Sequence, residues 1–437
     1  MISKSFKILS SIAIIIAIIW GFSDSYSSHT LDNIVHVVAI GVDKCSDGEN
    51  TIKVSFQFVN MSSGGEGSSG GEASTIVTSI NSTTINKAIN LMNSYIGKEL
   101  NFSHCKVIVF SEDFAKEGIS TEICTFINNE EFRPSSNIII STSEANTYLK
   151  NSNPNIEKIV TNYYETLELT SNFTGYSADT TIGQFYKNLL NPYYGNTAIL
   201  GRTFEKVSDS SQGGESSNKD SQSSSGGGSS QDQSSSGESS SSSSSQNDSG
   251  GASLEISGER GTQNVGIAVF KDDVYIGQLS EIDSICHLLV TNNVDSFVIS
   301  VPMEQYPDNL IDLNVSPLIG SKITVDVSSD SPIISVSVLC EARILTIDKN
   351  ANYEDSKVLD EISKKAEEFL KQNIETYLNK TSKEFNSDIA GFFNHATSNF
   401  LTIEQWENYN WDKKYENSRF NVNVNVDVMS STLFSGN

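Results

Sequence analysis

A mixed α/β (α+β), multidomain protein is predicted by three features of the 437-residue sequence. Short β-branched runs alternate with polar, helix-compatible segments as far as about Phe204. A serine-rich tract from Ser208 to Ser253 then separates this region from a second one with its own strands and a long helical pattern. A basic and then apolar start, MISKSFKILSSIAIIIAIIWGF, precedes both.

Taken in order, Lys4 and Lys7 precede an apolar run from Ile8 to Phe22. As a helix this run would measure roughly 22 Å, short of the roughly 30 Å hydrocarbon core of a bilayer. Its length suits a signal sequence, and Ser23, Ser25 and Ser27 make only a weak cleavage site, so retention as a short anchor stays open beside cleavage. NIVHVVAIGVD and TIKVSFQFV read as adjacent strands joined at Ser46-Asp47-Gly48, and Val38, Ala39 and Ile40 are too continuously apolar for a one-sided sheet. A Gly/Ser loop from Ser62 to Ser74 leads to TIVTSI. Ile85, Ala88, Ile89, Met92 and Ile96 then mark one face of a helix. KVIVF and NIIIS are short buried strands, and the segments after them, SEDFAKEG and SEANTYLK, begin like helices.

The tract Ser208 to Ser253 lacks aromatic and branched apolar residues and is expected to be a disordered tether. Beyond it, NVGIAVFKDDVYIGQLS has the outline of a hairpin turning at Asp272-Asp273, and Ser280 is a candidate cap for SEIDSICHLLV. DSFVISVPM, KITVDVS and PIISVSVLCEARILTI read as strands. From Ser356, Val358, Ile362, Ala366, Phe369, Leu370, Ile374, Tyr377 and Leu378 form the apolar stripe of a long helix. A bend or restart is expected at Asn386-Ser387-Asp388, ahead of IAGFFNHATSNF. In FNVNVNVDV, apolar and polar residues alternate, which predicts a strand with one face on a core. The chain therefore divides into a signal peptide or membrane anchor (1–28), an amino-terminal α/β region (29–207), a Ser-rich linker (208–253) and a carboxy-terminal α/β domain (254–437).

The net charge of -25 argues against nucleic acid, whose phosphates require clustered Lys and Arg. Cys45, Cys105, Cys124, Cys286 and Cys340 show neither CxxC spacing nor an even count, so neither a disulfide framework nor a zinc site is expected. Cys105 and Cys340 lie in strand-like runs, where a thiol behaves as a small buried hydrophobe. His104 with Cys105 and Cys286 with His287 are the tempting nucleophile pairs, but neighbours on a strand or helix point in different directions. His29, His36 and His395 form no HExxH motif with the others, and Glu130 and Glu131 are merely adjacent. The glycines form no phosphate cradle. No catalytic, cofactor or metal residue is predicted, and a ligand site is left unassigned; Tyr193 and Tyr194 are either an exposed aromatic face or packed.

Several stretches, in this order and spacing, resemble the Ger(x)C family, the C subunits of nutrient germinant receptors in endospore-forming bacteria. They are AIGVDK (Ala39 to Lys44), NFSHCKVIVFSEDFAKEGI (Asn101 to Ile119), FINNEEFRPSSNIIIS (Phe126 to Ser141), VGIAVFKDDVYIGQLS (Val265 to Ser280) and NSDIAGFFNHATSNF, followed by Trp406, Trp411 and FNVNVNVDV. The resemblance implies three α/β domains, with the first region dividing near Thr142. It also implies a non-enzymatic, exported subunit at the outer face of the spore inner membrane, beside polytopic membrane subunits, in a complex that answers small nutrients. The family's lipid-modified cysteine after the apolar run has no counterpart here, since the first cysteine is Cys45, so no lipidation site is predicted. The competing expectations are an exported solute-binding or surface-interaction protein outside any receptor, and a hydrolase using Cys105 or Cys286.

Overall fold

The computed structural model describes residues 33–45, 51–59, 75–152, 160–204, 261–303, 306–345 and 356–429, and within the amino-terminal run only Ile12 and Ile14. The signal or anchor segment and the Ser-rich tract otherwise lie outside the described residues. Among the described residues no helix is long and apolar enough to cross a membrane.

Strands β1 (Ile34–Lys44), β2 (Ile52–Val59), β3 (Thr75–Ser82), β4 (Glu99–Asn101), β5 (Val107–Ser111), β6 (Asn137–Ser141), β7 (Thr197–Thr203), β8 (Thr262–Lys271) and β9 (Val274–Leu279) form one sheet. Its order is β3-β2-β1-β5-β6-β7-β8-β9, with β4 beside the start of β1. The centre, β1-β5-β6-β7, is parallel, and antiparallel hairpins flank it on both sides. Parallel strands need crossovers that lay helices on the sheet faces, and this explains the unbroken apolar runs. In β5, Ile108 and Phe110 enter one core with Met92, Phe126 and Phe185, while Val107 and Val109 enter the opposite core with Tyr148, Leu149 and Tyr164.

The amphipathic helix forms over Ile85–Ile96 and buries Ile85, Ala88 and Met92. Thr84 caps its first turn by accepting from the Lys87 N–H, and Gly97 ends it in the left-handed conformation, φ 68°. The strands on either side of Thr142, β6 and β7, are parallel neighbours in this one sheet. The hairpin β8-β9 joins the same sheet by pairing β8 antiparallel to β7 across the Ser-rich tract. Strand pairing thus continues through the position where composition changes most.

The second sheet is β10-β11-β12-β13, formed by Phe297–Met303, Tyr306–Asp326, Ile333–Ile344 and Arg419–Met429. The first three strands are antiparallel, and β13 returns parallel to β12. The long helix Ser356–Asn379 buries Ile362, Ala366, Leu370, Ile374, Tyr377 and Leu378 in the core that also takes Val422, Val424, Val426 and Val428 of β13. Asn421, Asn423, Asn425 and Asp427 lie exposed on the other face. From the sequence, only the end of β11, from Lys322, is predicted as strand. The strand begins at Tyr306, and although Ile311, Leu313 and Val315 alternate with polar residues, Pro317 and the register shifts between it and Lys322 hide its continuity with KITVD.

Candidate functional site

The suspected nucleophile pairs do not assemble. Cys105 is fully buried, its Sγ lies 3.6 Å from the Val107 carbonyl, and burial pushes its thiol up to about 12. Its sequence neighbour His104 is exposed and stacks edge-on against His36 at 4.8 Å. Cys286 is likewise buried, with a thiol well above its ordinary value. His287 instead meets the Tyr377 hydroxyl at 2.8 Å, and burial lowers it to about 4, leaving the imidazole neutral. Cys340 lies buried in the second core, its thiol also pushed up to about 12. Thiols in this state are weak nucleophiles, because only the thiolate reacts. Glu131 accepts a bond from the Phe102 N–H at 3.0 Å, whereas Glu130 is exposed. Tyr193 and Tyr194 are packed: Tyr193 meets Trp406 at 5.1 Å and Tyr194 meets Phe393 at 5.7 Å.

Three carboxylates of the quoted motifs each fasten a backbone segment at a separate place in the fold. In AIGVDK, a Cβ on Gly41 would lie 3.0 Å from Leu149 and 3.1 Å from Ala145, so glycine lets the helix Ala145–Asn151 sit close on β1. Asp43 then accepts from the Ala145 and Asn146 N–H groups at 2.6 and 3.0 Å, filling the orphan donors of that helix start. Burial raises the Asp43 carboxyl above the usual range against those two bonds. Lys44 pairs with Glu117 from SEDFAKEGI.

A second carboxylate, Asp273, sits in the turn of VGIAVFKDDVYIGQLS, where Asp272 takes the left-handed conformation at φ 56°. Its main-chain oxygen accepts from the Ile119 N–H at 3.1 Å, and Oδ2 accepts from the Ser120 N–H at 3.1 Å, the start of the helix Ser120–Ile127. The hairpin beyond the Ser-rich tract is thereby pinned to the first region.

The third, Asp388, is buried between the two regions. It accepts from the Phe392 and Phe393 N–H groups at 3.0 and 2.8 Å and from the Trp411 indole N–H at 3.2 Å, and its carbonyl accepts from the Gly195 N–H at 3.1 Å. Burial outweighs these bonds and pushes the carboxyl up to about 7. Next to it the Ser387 hydroxyl donates to the Phe270 carbonyl of β8 at 2.8 Å. A Cβ on Gly195 would lie only 2.0 Å from the Ser387 Oγ, so the loop before β7 and the segment Asn386 to Ile389 meet at their closest possible approach. The sequence marks Asn386-Ser387-Asp388 as a capping cluster, but nothing local reveals Gly195, Phe270 or Trp411 as its partners.

A cleft of about 280 Å³ opens where β1, β5 and β6 end, lined by Asp43, Lys44, Cys45, Ser111, Glu112, Asp113, Thr142, Ser143 and Glu144. The carboxyl ends of parallel strands are where open α/β sheets receive ligands. Here the walls are rich in carboxylate and hydroxyl oxygens, and two of the cations nearby are already paired, Lys44 with Glu117 and Lys53 with Glu144 at 2.9 Å. Such walls suit ammonium or hydroxyl groups better than anions. A second, open groove of about 720 Å³ lies between the helices Ile85–Ile96 and Ser120–Ile127 and is lined by Asn86, Ser120, Thr121, Thr125, Asn128 and Asn129 among others.

The comparisons with known proteins follow the same division. Residues 27–202 match the family described as spore germination protein N-terminal domain, and residues 265–432 match spore germination B3/GerAC like, C-terminal. YfkR of Bacillus subtilis (strain 168), assigned provisionally to spore germination, is 27% identical over 122 residues; the aligned stretch spans 27% of this chain and 32% of YfkR. The crystal structure of the GerBC protein superposes with a TM-score of 0.51 at 14% identity, covering 89% of this chain and 96% of that one, and shares the fold. The stretches that carry the sequence resemblance supply helix caps in the first sheet's layers and, at Ser387-Asp388, the contacts with the second region. Both folded regions match in their proper order: the chain belongs to the Ger(x)C family of spore germination proteins.

Proposed function

We propose that this protein is a non-enzymatic subunit of a nutrient germinant receptor, held at the outer face of the spore inner membrane beside polytopic membrane subunits. The observation that carries the reading is the pair of family matches, residues 27–202 and 265–432, which cover both folded regions in order. The absence of catalysis is supported by the packing of the nucleophile candidates: Cys105 and Cys286 are buried with raised thiols, and His287 is engaged by Tyr377. Membrane attachment rests on the apolar run Ile8 to Phe22, retained as a short anchor and assisted by partner contacts, because no cysteine follows it for lipidation.

In this reading the subunit works as a scaffold whose two regions are joined at the Asp388 segment, and the acceptor-rich cleft at the strand ends is where an amino or hydroxyl group of a small nutrient would be received. Deleting the gene is expected to lower nutrient-triggered germination while leaving germination by a non-nutrient trigger intact, and the wild-type gene restores it. Normal nutrient germination in a deletant without a redundant paralogue contradicts the proposal. Co-purification from spore membranes separates it from a free surface protein, which would not bring membrane subunits down.

A further inference from the structure

We propose that the outer edge of β13 pairs with the same strand of a second copy of this chain, joining two four-stranded sheets into one. The strand is long and regular: all eleven residues from Arg419 to Met429 hold an unbroken parallel register with β12, with no proline, glycine or bulge. Proteins usually blunt such an edge, because its free N–H and C=O groups are a template for another strand. The opposite edge of the same sheet, β10, is blunted in this way, carrying Pro302 and a register break between Pro302 and Met303.

On β13 the Val426 N–H turns away from the sheet and is capped by Glu367 Oε1 at 3.1 Å, which also accepts from Asn425 Nδ2 at 3.2 Å. Backbone groups two residues apart on a strand point the same way, so Val422 and Val424 present theirs at this edge too. Among the described residues no other side chain is seated on them.

Charge complementarity favours a second copy of this chain as the occupant. If two copies pair antiparallel about Asn423, Arg419 of each lies opposite Asp427 of the other, Asn421 lies opposite Asn425, and Asn423 lies opposite itself. These residues stand on the exposed face, and among the described residues neither Arg419 nor Asp427 has an ion-pair partner of its own. The register therefore supplies two opposite-charge pairs and an amide pair, and nowhere opposes like charges. Val422 and Val424 then exchange main-chain bonds across the two-fold axis, and the Val426 N–H passes from Glu367 to the Phe420 carbonyl of the other copy. Both long helices stay on the covered face of the combined sheet.

The test is a charge exchange in the full chain in detergent micelles, followed by sedimentation equilibrium, with circular dichroism to check the fold. The wild type is expected to dimerise. Arg419→Asp alone and Asp427→Arg alone should each associate about tenfold more weakly, because each opposes like charges twice across the axis. An equimolar mixture of the two variants should recover wild-type association, since each charge again meets its opposite. A monomeric wild type overturns the proposal and leaves the edge to an extended segment of a different protein. Unchanged association of the single variants, or a mixture that stays monomeric, overturns it as well.

Discussion

The two sheets solve the same burial problem on opposite plans. The first has a parallel centre with helices on both faces, so β5 and β6 are buried at every position. The second is mainly antiparallel and covered on one face, so β13 alternates buried valines with exposed asparagines. The difference locates two kinds of surface. Polar groups inside and beside the first sheet must be satisfied internally, which is the work of Asp43, Ser55 and Gln57. The second sheet keeps a polar face and ends in the edge strand β13.

The largest effect is expected at Asp388, where the two plans meet. Asp388→Ala strands the Phe392, Phe393 and Trp411 donors in a buried site and should cost about 3 kcal/mol or more, read by denaturant unfolding. A variant with wild-type stability would separate the two regions energetically. Gly195→Ala follows, at about 1–3 kcal/mol, because its Cβ would collide with a Ser387 hydroxyl already committed to the Phe270 carbonyl. Asp43→Ala should cost about 1–2 kcal/mol, as expected for a lost helix cap, and should leave the second sheet undisturbed.

The pH dependence sharpens the same comparison, because two buried groups pull in opposite directions. Asp388 has a raised pKa, so its contribution is greatest below the ordinary Asp value of 3.8 and is lost as pH rises through about 7. His287 has a lowered pKa, so its contribution is full above 6.5 and is lost as pH falls through about 4. Replacing His287 with Gln should therefore lessen the loss of stability between pH 6.5 and 4, measured by thermal melts across that range; an unchanged acid-side slope would contradict the neutral, buried imidazole. The smallest effect belongs to the open face, where Arg419→Asp should change stability by no more than about 0.5 kcal/mol.

How much of this was legible depended on whether the physics was local. The helix Ile85–Ile96 and strand β13 are written in their own periodicities, and Ser280 caps its helix in a reciprocal box with Asp283. The Asp272-Asp273 turn is where the pattern places it. The first part of β11, Tyr306 to Ser321, escapes as one strand because Pro317 and the register shifts after it interrupt the pattern that Ile311, Leu313 and Val315 begin, and three-residue β4 is too short to show a period. The pairing of β7 with β8 across the Ser-rich tract is invisible because no local signal names a strand's partner. Of the three capping carboxylates only Asp388 stands out, as part of a capping cluster. Asp43 and Asp273 read as ordinary turn or strand-end acids, since their partners lie at Ala145 and Ser120, far along the chain.

The segment around Asp388 is the joint that holds the two regions together, whereas Asp43 and Asp273 fasten helices within the first sheet's layers. Hydrogen exchange read by mass spectrometry on Asp388→Ala tests it most directly. Protection is expected to fall together in the segment around Gly195, at residues 386–393 and around Phe270, while the strands β1, β5 and β6 keep theirs. Loss confined to residues 386–393, with the Gly195 and Phe270 segments as protected as in the wild type, would contradict it.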